Sequence, residues 1–173
     1  YQINEDNSVD INLTSLVSDI DPDNTFTYFI KNGPINGNYH INSSTGVVTY
    51  TPNLNWYGTD NFTYYVKDQS NSESNISTII ITVKSVNDPP IANSLQVSIY
   101  EGNNYADIDL NLLARDIEGD NIFFSIANSP GDGTLSTMLN GIVTYRPNSD
   151  FNGADSFTFY ARDEHNSQSN SSI

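Results

Sequence analysis

The chain has 173 residues, 21 of them acidic and 6 basic, for a formal charge of −15 at neutral pH. That balance excludes nucleic acid and anionic membrane surfaces as partners, because both are recognised through Lys and Arg. Cysteine is absent, which removes disulfides and thiolate chemistry, and no apolar stretch is long enough to span a bilayer. The acidic excess has two readings: a self-repelling, soluble surface, or carboxylates gathered to hold a hard cation. No signal peptide opens the chain, as in an excerpt of a longer secreted protein.

Abundant Asn, Ser, Thr, Tyr and Phe favour strands and turns over helices. In chain order the predicted strands are B at Val9–Val17, C at Thr25–Asn32, D at Asn38–Ile41, E at Val47–Pro52, F at Asn61–Lys67 and G at Ile76–Val86. A second series opens with A at Ile91–Tyr100 and B at Ala106–Ala114. Asn140-Gly141 reads as a two-residue hairpin turn.

The second series repeats the first. Asp19-Ile20-Asp21-Pro22-Asp23-Asn24 returns as Asp116-Ile117-Glu118-Gly119-Asp120-Asn121, and Val48-Thr49-Tyr50-Thr51-Pro52-Asn53 returns as Val143-Thr144-Tyr145-Arg146-Pro147-Asn148. Gly58-Thr59-Asp60-Asn61-Phe62-Thr63 returns as Gly153-Ala154-Asp155-Ser156-Phe157-Thr158. The offsets run from 95 (Asp68 to Asp163) to 97 (Asp19 to Asp116), so the chain holds two copies of one domain. Copies of about 95 residues with seven short strands suit an immunoglobulin-like β-sandwich. The expected domains are 1–86, lacking most of strand A, and 91–173, lacking most of strand G. Val86-Asn87-Asp88-Pro89-Pro90 is the joint, with 87–90 a linker stiffened by two prolines.

Strand parity then places the acids. Seven alternating strands put loops B–C and F–G at the N-terminal end of a domain and loops A–B and E–F at its C-terminal end. Glu5 and Asp60 of copy one, and Asp116, Glu118 and Asp163 of copy two, are therefore expected at the joint with Asn87 and Asp88. Asp19, Asp21 and Asp68 form an expected half-site at the far end of copy one, and Glu101 and Asp155 another at the far end of copy two. Calcium takes about 6–8 oxygens from carboxylates, amides and carbonyls, and fits such a set better than magnesium, which keeps its waters. Zinc is disfavoured because Cys is absent and the two histidines, His40 and His165, stand isolated in the sequence.

Plainer readings stand beside these. Asp19, Asp21 and Asp23 can simply shape a turn, and Asp120 with Asp23 reads as a turn residue. Asp60 and Asp155 either ligate an ion or cap the start of strand F through backbone N–H groups. The Asp-x-Asp loops are not EF-hands, since the twelfth positions are Ile30 and Ala127, where a Glu is needed. Trp56 and Tyr57 either stack on a sugar, as in a carbohydrate-binding accessory module, or plug the core. No nucleophile constellation is repeated, so the chain does not read as an enzyme.

Asn87-Asp88-Pro89-Pro90, the Glu before strand B, Asp-x-Asp/Glu-x-Asp, Tyr-x-Pro-Asn and Gly-x-Asp-x-Phe-Thr together resemble the cadherin-like tandem repeats of large bacterial RTX-type surface adhesins. The resemblance implies two all-β sandwiches in an elongated arrangement, extracellular and rigidified by Ca2+. It implies neighbouring repeats of the same chain as partners, and surface glycans or proteins as partners of other domains.

Overall fold

Alternating side chains build the first unit, Tyr1–Val86, which ends where the second, Asn87–Ile173, begins. The chain is described by a computed structural model covering residues 1–20, 25–99 and 105–173. Residues 21–24 and 100–104, which include the end of the expected strand A at Tyr100 and the site candidates Asp21, Asp23 and Glu101, lie outside the described residues.

Seven strands form the first unit: β1 (Gln2–Asn4), β2 (Val9–Asn12), β3 (Thr27–Asn32), β4 (Gly37–Asn42), β5 (Val47–Pro52), β6 (Gly58–Lys67) and β7 (Ser77–Lys84). They pair in two sheets, β1-β7-β6-β3 and β2-β5-β4, with only the β1–β7 pair parallel. The three residues of β1 at the chain start pair along β7. Along β6 the residues Asp60, Phe62, Tyr64 and Val66 are buried and their neighbours are not. With Ile11, Leu13, Val48, Tyr50 and Ile81 they fill the space between the sheets.

The second unit follows the same plan in β8 (Ile91–Ala92), β9 (Ala106–Asp109), β10 (Ala114–Arg115), β11 (Phe123–Asn128), β12 (Gly133–Leu135), β13 (Ile142–Pro147) and β14 (Thr158–Arg162). The pairings are β12-β13-β9, β11-β14 and β8-β10, and Leu110, Phe159 and Ala161 centre its core. The last residues run beside β14, where Phe159 and Ser172 exchange backbone hydrogen bonds of 2.9 and 3.0 Å. Both units are immunoglobulin-like β-sandwiches.

Strand B stops earlier than predicted in both units, for one reason. Asn12 Oδ1 accepts from the Thr14 N–H at 3.0 Å, and Asp109 Oδ1 accepts from the Asn111 N–H at 3.0 Å. A short polar side chain bonding the backbone two residues on competes with the sheet ladder. A 3-10 turn follows each, at Thr14–Leu16 and Leu110–Leu112. The apolar residue after each polar one, Leu13 or Leu110, still reaches the core, fully buried.

The close approach of β4 to β5 requires a glycine. A Cβ at Gly37 would lie 2.6 Å from the Thr51 carbonyl oxygen and 2.6 Å from the Tyr50 ring. Overpacking of this kind costs about 1–3 kcal/mol. Gly37→Ala is therefore expected to lower the melting temperature of the first unit by several degrees, measured by calorimetry.

Candidate metal centres

The loops between strands decide where the acids go, and in the second unit they do so through backbone N–H groups. Asp116 lies between β10 and β11. Its Oδ1 accepts from the N–H groups of Glu118, Gly119 and Asp120 at 3.0, 3.1 and 3.1 Å. That is the Asx turn the plainer reading expects, yet the other oxygen, Oδ2, is buried with no partner. Glu118 repeats the division: Oε2 accepts from the Asp88 N–H at 3.0 Å, while Oε1 is buried and unpartnered.

Asn87 donates through Nδ2 to Asp163 Oδ2 at 2.7 Å and to Ser167 Oγ at 2.9 Å. Its Oδ1 is buried and unpartnered, as is Asp88 Oδ2. Asp163 is buried between β14 and the chain end, and its Oδ1 accepts from the Ser167 N–H at 2.8 Å. Burial pushes its carboxyl up, but the Asn87 amide and the Ser167 and His165 N–H groups outweigh that and hold it below the usual value. Among the described residues no Lys or Arg pairs with Asp88, Asp116, Glu118 or Asp163.

In the first unit Glu5 is buried, its Oε1 accepting from the Val86 N–H at 2.6 Å. Its Oε2 is buried without a partner. Every buried, unpartnered side-chain oxygen among the described residues thus belongs to a side chain the sequence assigns to the joint. A buried polar atom left unsatisfied costs about 1–3 kcal/mol, more when charged. These atoms are oxygens of carboxylates and one amide, the donor set of a hard cation such as Ca2+.

Asp60 and Asp155 behave differently, and of their two expected roles the bonds they make are those of the cap. Asp60 Oδ1 accepts from the Ile35 and Asn61 N–H groups at 3.1 and 2.8 Å, and Oδ2 from the Asn36 N–H and the Tyr50 hydroxyl at 2.9 and 3.1 Å. Asp155 is held likewise by Gly131, Asp132, Ser156 and the Tyr145 hydroxyl at 2.8–2.9 Å. Four donors occupy all four in-plane lone pairs of a carboxylate, and none remains for an ion. These two acids fasten the C–D loop to the start of strand F.

Of the outer half-sites, Asp68 makes the same turn as Asp163, accepting from the Ser72 N–H at 2.8 Å, and Asp19 is exposed. Asp21 and Glu101 lie outside the described residues. Trp56 packs against the first core, which favours the plug over the sugar platform, and Tyr57 is left exposed.

One pair escaped the sequence reading. His165 is not isolated: its Nδ1 lies 2.8 Å from Asp120 Oδ2, so Asp120 does more than turn the chain. Glu164 lies beside them, and the three side chains each offer an atom within 4.8 Å of the others. The available signal was the divergence of the copies, since Glu164 and His165 stand where copy one has Gln69 and Ser70.

Two all-β sandwiches in tandem, with carboxylates concentrated in their loops, define a class of repeat domain. The bacterial Ig domain family matches residues 1–82 and again 87–173, and the chain belongs to that family. Such domains are typically non-catalytic and typical of surface or secreted proteins. Among solved structures the chain is similar to Drosophila N-cadherin EC1-4, at 18% identity and TM-score 0.50, over 91% of this chain and 43% of that one. It is also similar to chicken VE-cadherin EC1-2, at 16% identity and TM-score 0.43, over 99% of this chain and 95% of that one. A curated relative, Integrin beta-like protein C of Dictyostelium discoideum, is 28% identical over 102 residues, which is 58% of this chain and 5% of that protein. No helix among the described residues is long and apolar enough to cross a membrane.

Two predictions follow from the tyrosine–aspartate contacts. Asp60→Asn leaves donors facing an NH2 group in a buried site, and is expected to cost roughly 2–3 kcal/mol in denaturant unfolding while leaving metal stoichiometry unchanged. In the second unit, burial with the Asp155 bond and charge pushes Tyr145 up to about 12 from 10.0. The folded state therefore keeps a proton that the unfolded chain loses, and this contribution fades as pH rises from about 10 to 12. Burial raises Asp155, but its bonds from Gly131, Ser156, Asp132 and Tyr145 leave it below 3.8, so its contribution is present above that value and fades at more acid pH. Melting followed against pH should show both arms, and Tyr145→Phe should reduce the alkaline one, leaving the part owed to Tyr50, Tyr64 and Tyr28, which burial also raises.

Proposed function

We propose that the chain is a pair of calcium-rigidified extender modules from a bacterial cell-surface adhesin of the RTX type, with Ca2+ bound where one repeat joins the next. The observation that carries this reading is the division of labour in the acids. Glu5, Asn87, Asp116 and Glu118 each keep one side-chain polar atom for the protein and leave one buried oxygen unpartnered, and Asp88 adds a further buried, unpartnered oxygen. The second repeat supplies Asn87, Asp88, Asp116 and Glu118, with Asp163 oriented beside Asn87. Four free oxygens are fewer than the 6–8 calcium takes, so carbonyls, water and Glu5 of the first repeat complete the shell.

Chain connectivity supports the sharing. Glu5 grips the N–H of Val86, and Val86 is bonded covalently to Asn87. An ion held by both sets limits the angles open to the linker, and an array of such joints is a stiff stalk where calcium is plentiful. Relative motion is the default for tandem domains, and an ion held by both sets would add to the restraint of the two prolines.

Calcium that binds the folded chain alone raises its stability by mass action, about 2.7 kcal/mol at a hundredfold excess over Kd. Melting is expected to rise by several degrees in millimolar calcium relative to chelator, and the distribution of maximum dimension in solution scattering is expected to narrow. Asp116→Asn should weaken both effects, whereas Asp60→Asn should keep the calcium-dependent shift from its lower starting point. Identical melting and scattering in calcium and chelator would refute the reading.

A further inference from the structure

The loops after β10 and β14 of the second unit hold a second group of ligand atoms, distinct in chemistry from the all-oxygen set. Asp120 Oδ2 and His165 Nδ1 lie 2.8 Å apart, and a Glu164 carboxylate oxygen completes a trio within 4.8 Å. We propose that Asp120, Glu164 and His165 form a site for a divalent transition ion of the Zn2+ type. The calcium reading is not needed for it: Asp116 and Asp163 enter only through the oxygens that hold the two loops.

The positions are fixed before any ion arrives. The Asp116 carboxylate takes the Asp120 N–H at 3.1 Å. The Asp163 carboxylate takes the Ser167 N–H at 2.8 Å, and the backbone closes the turn from Asp163 N–H to Ser167 C=O at 3.1 Å. Asn121 donates to Glu164 Oε2 at 2.8 Å, which ties the Glu164 carboxylate to the loop that carries Asp120.

The first unit supplies an independent comparison. Its corresponding turn, Asp68 to Ser72, has the same Asx bond at 2.8 Å, and a residue with positive φ in the same place, Asn71 at 62° against Asn166 at 70°. The turn therefore forms with Gln69 and Ser70 as well as with Glu164 and His165, and its geometry explains neither of the latter. Both changes introduce a metal ligand, and both face Asp120. One imidazole nitrogen with two carboxylates suits zinc and its neighbours better than calcium, which takes oxygen. Three protein ligands and water make a four-coordinate shell. An ion there cross-links the two loops that carry Asp116, Glu118 and Asp163.

The test is a calorimetric titration of the whole chain with Zn2+, in saturating calcium so that oxygen-only sites are filled. One equivalent is expected to bind, with the His165 ring resonances shifting in NMR spectra. His165→Gln is expected to lower the affinity roughly tenfold or more, since even loss of a residue behind a ligand costs that much. Glu164→Gln should weaken binding too, and His40→Gln, on the exposed edge of β4, should not. His165 and Glu164 are exposed, so the variants should melt like the parent without zinc. No zinc binding in calcium, or equal binding by His165→Gln, would overturn the proposal and leave the contact as a hydrogen bond between His165 and Asp120.

Discussion

A carboxylate has two oxygens, and how the backbone divides its N–H groups between them governs this molecule. Where four donors surround the group, as at Asp60 and Asp155, the acid is a fastener and is finished. Where the donors fall on one oxygen only, as at Asp116, Glu118 and Glu5, the loop is shaped and the second oxygen is left buried with nothing to bond. Residues of one chemical type are thereby sorted into two roles by donor count. At Asp116 the oxygen that shapes the turn and the buried, unpartnered oxygen are different atoms.

That division also explains how far the sequence could be read. The repeat, the strands and the two sandwiches follow from local patterns: alternation in Phe62, Tyr64 and Val66, and ordered motifs about 95 residues apart. The early end of strand B was less accessible, since the apolar alternation continues through Leu13 and only the side-chain bond from Asn12 to Thr14 breaks the ladder. Asp60 and Asp116 sit in different repeated motifs, but sequence alone leaves Asp60 between ligand and cap. Separating them requires knowing that the Tyr50 hydroxyl and two N–H groups of the C–D loop converge on Asp60, a three-body contact that no spacing rule encodes.

The two copies form an internal experiment on which contacts the fold requires. The tyrosine–aspartate lock occurs in both, at 3.1 Å in the first unit and 2.9 Å in the second. The bulge opposite strand F recurs, between Ile30 and Asn32 and between Ile126 and Asn128. The glycine beneath the locked tyrosine recurs as Gly37 and Gly133. These features set the core and the sheet register and leave little freedom for substitution. The F–G turn is different, because its backbone bonds are made by Asp and Ser at its ends, so the two residues at its tip are free to change without cost to the fold.

Freedom at that tip matters because of the charge the chain carries. With 21 acids against 6 bases, each added carboxylate raises self-repulsion in the compact state. A substitution from Gln to Glu, as between Gln69 and Glu164, would by that argument be disfavoured unless something nearby offsets it. His165 arrives in the adjacent position and contacts Asp120, so the second copy gains an acid and a group able to carry positive charge or a metal together. The first copy has neither. Charge compensation at the loop tip is thus local and paired, whereas the buried oxygens of Asp88, Asp116 and Glu118 have no Lys, Arg or His bonded to them. No cationic side chain among the described residues offsets their repulsion, and this asymmetry separates the two clusters physically more firmly than their composition does.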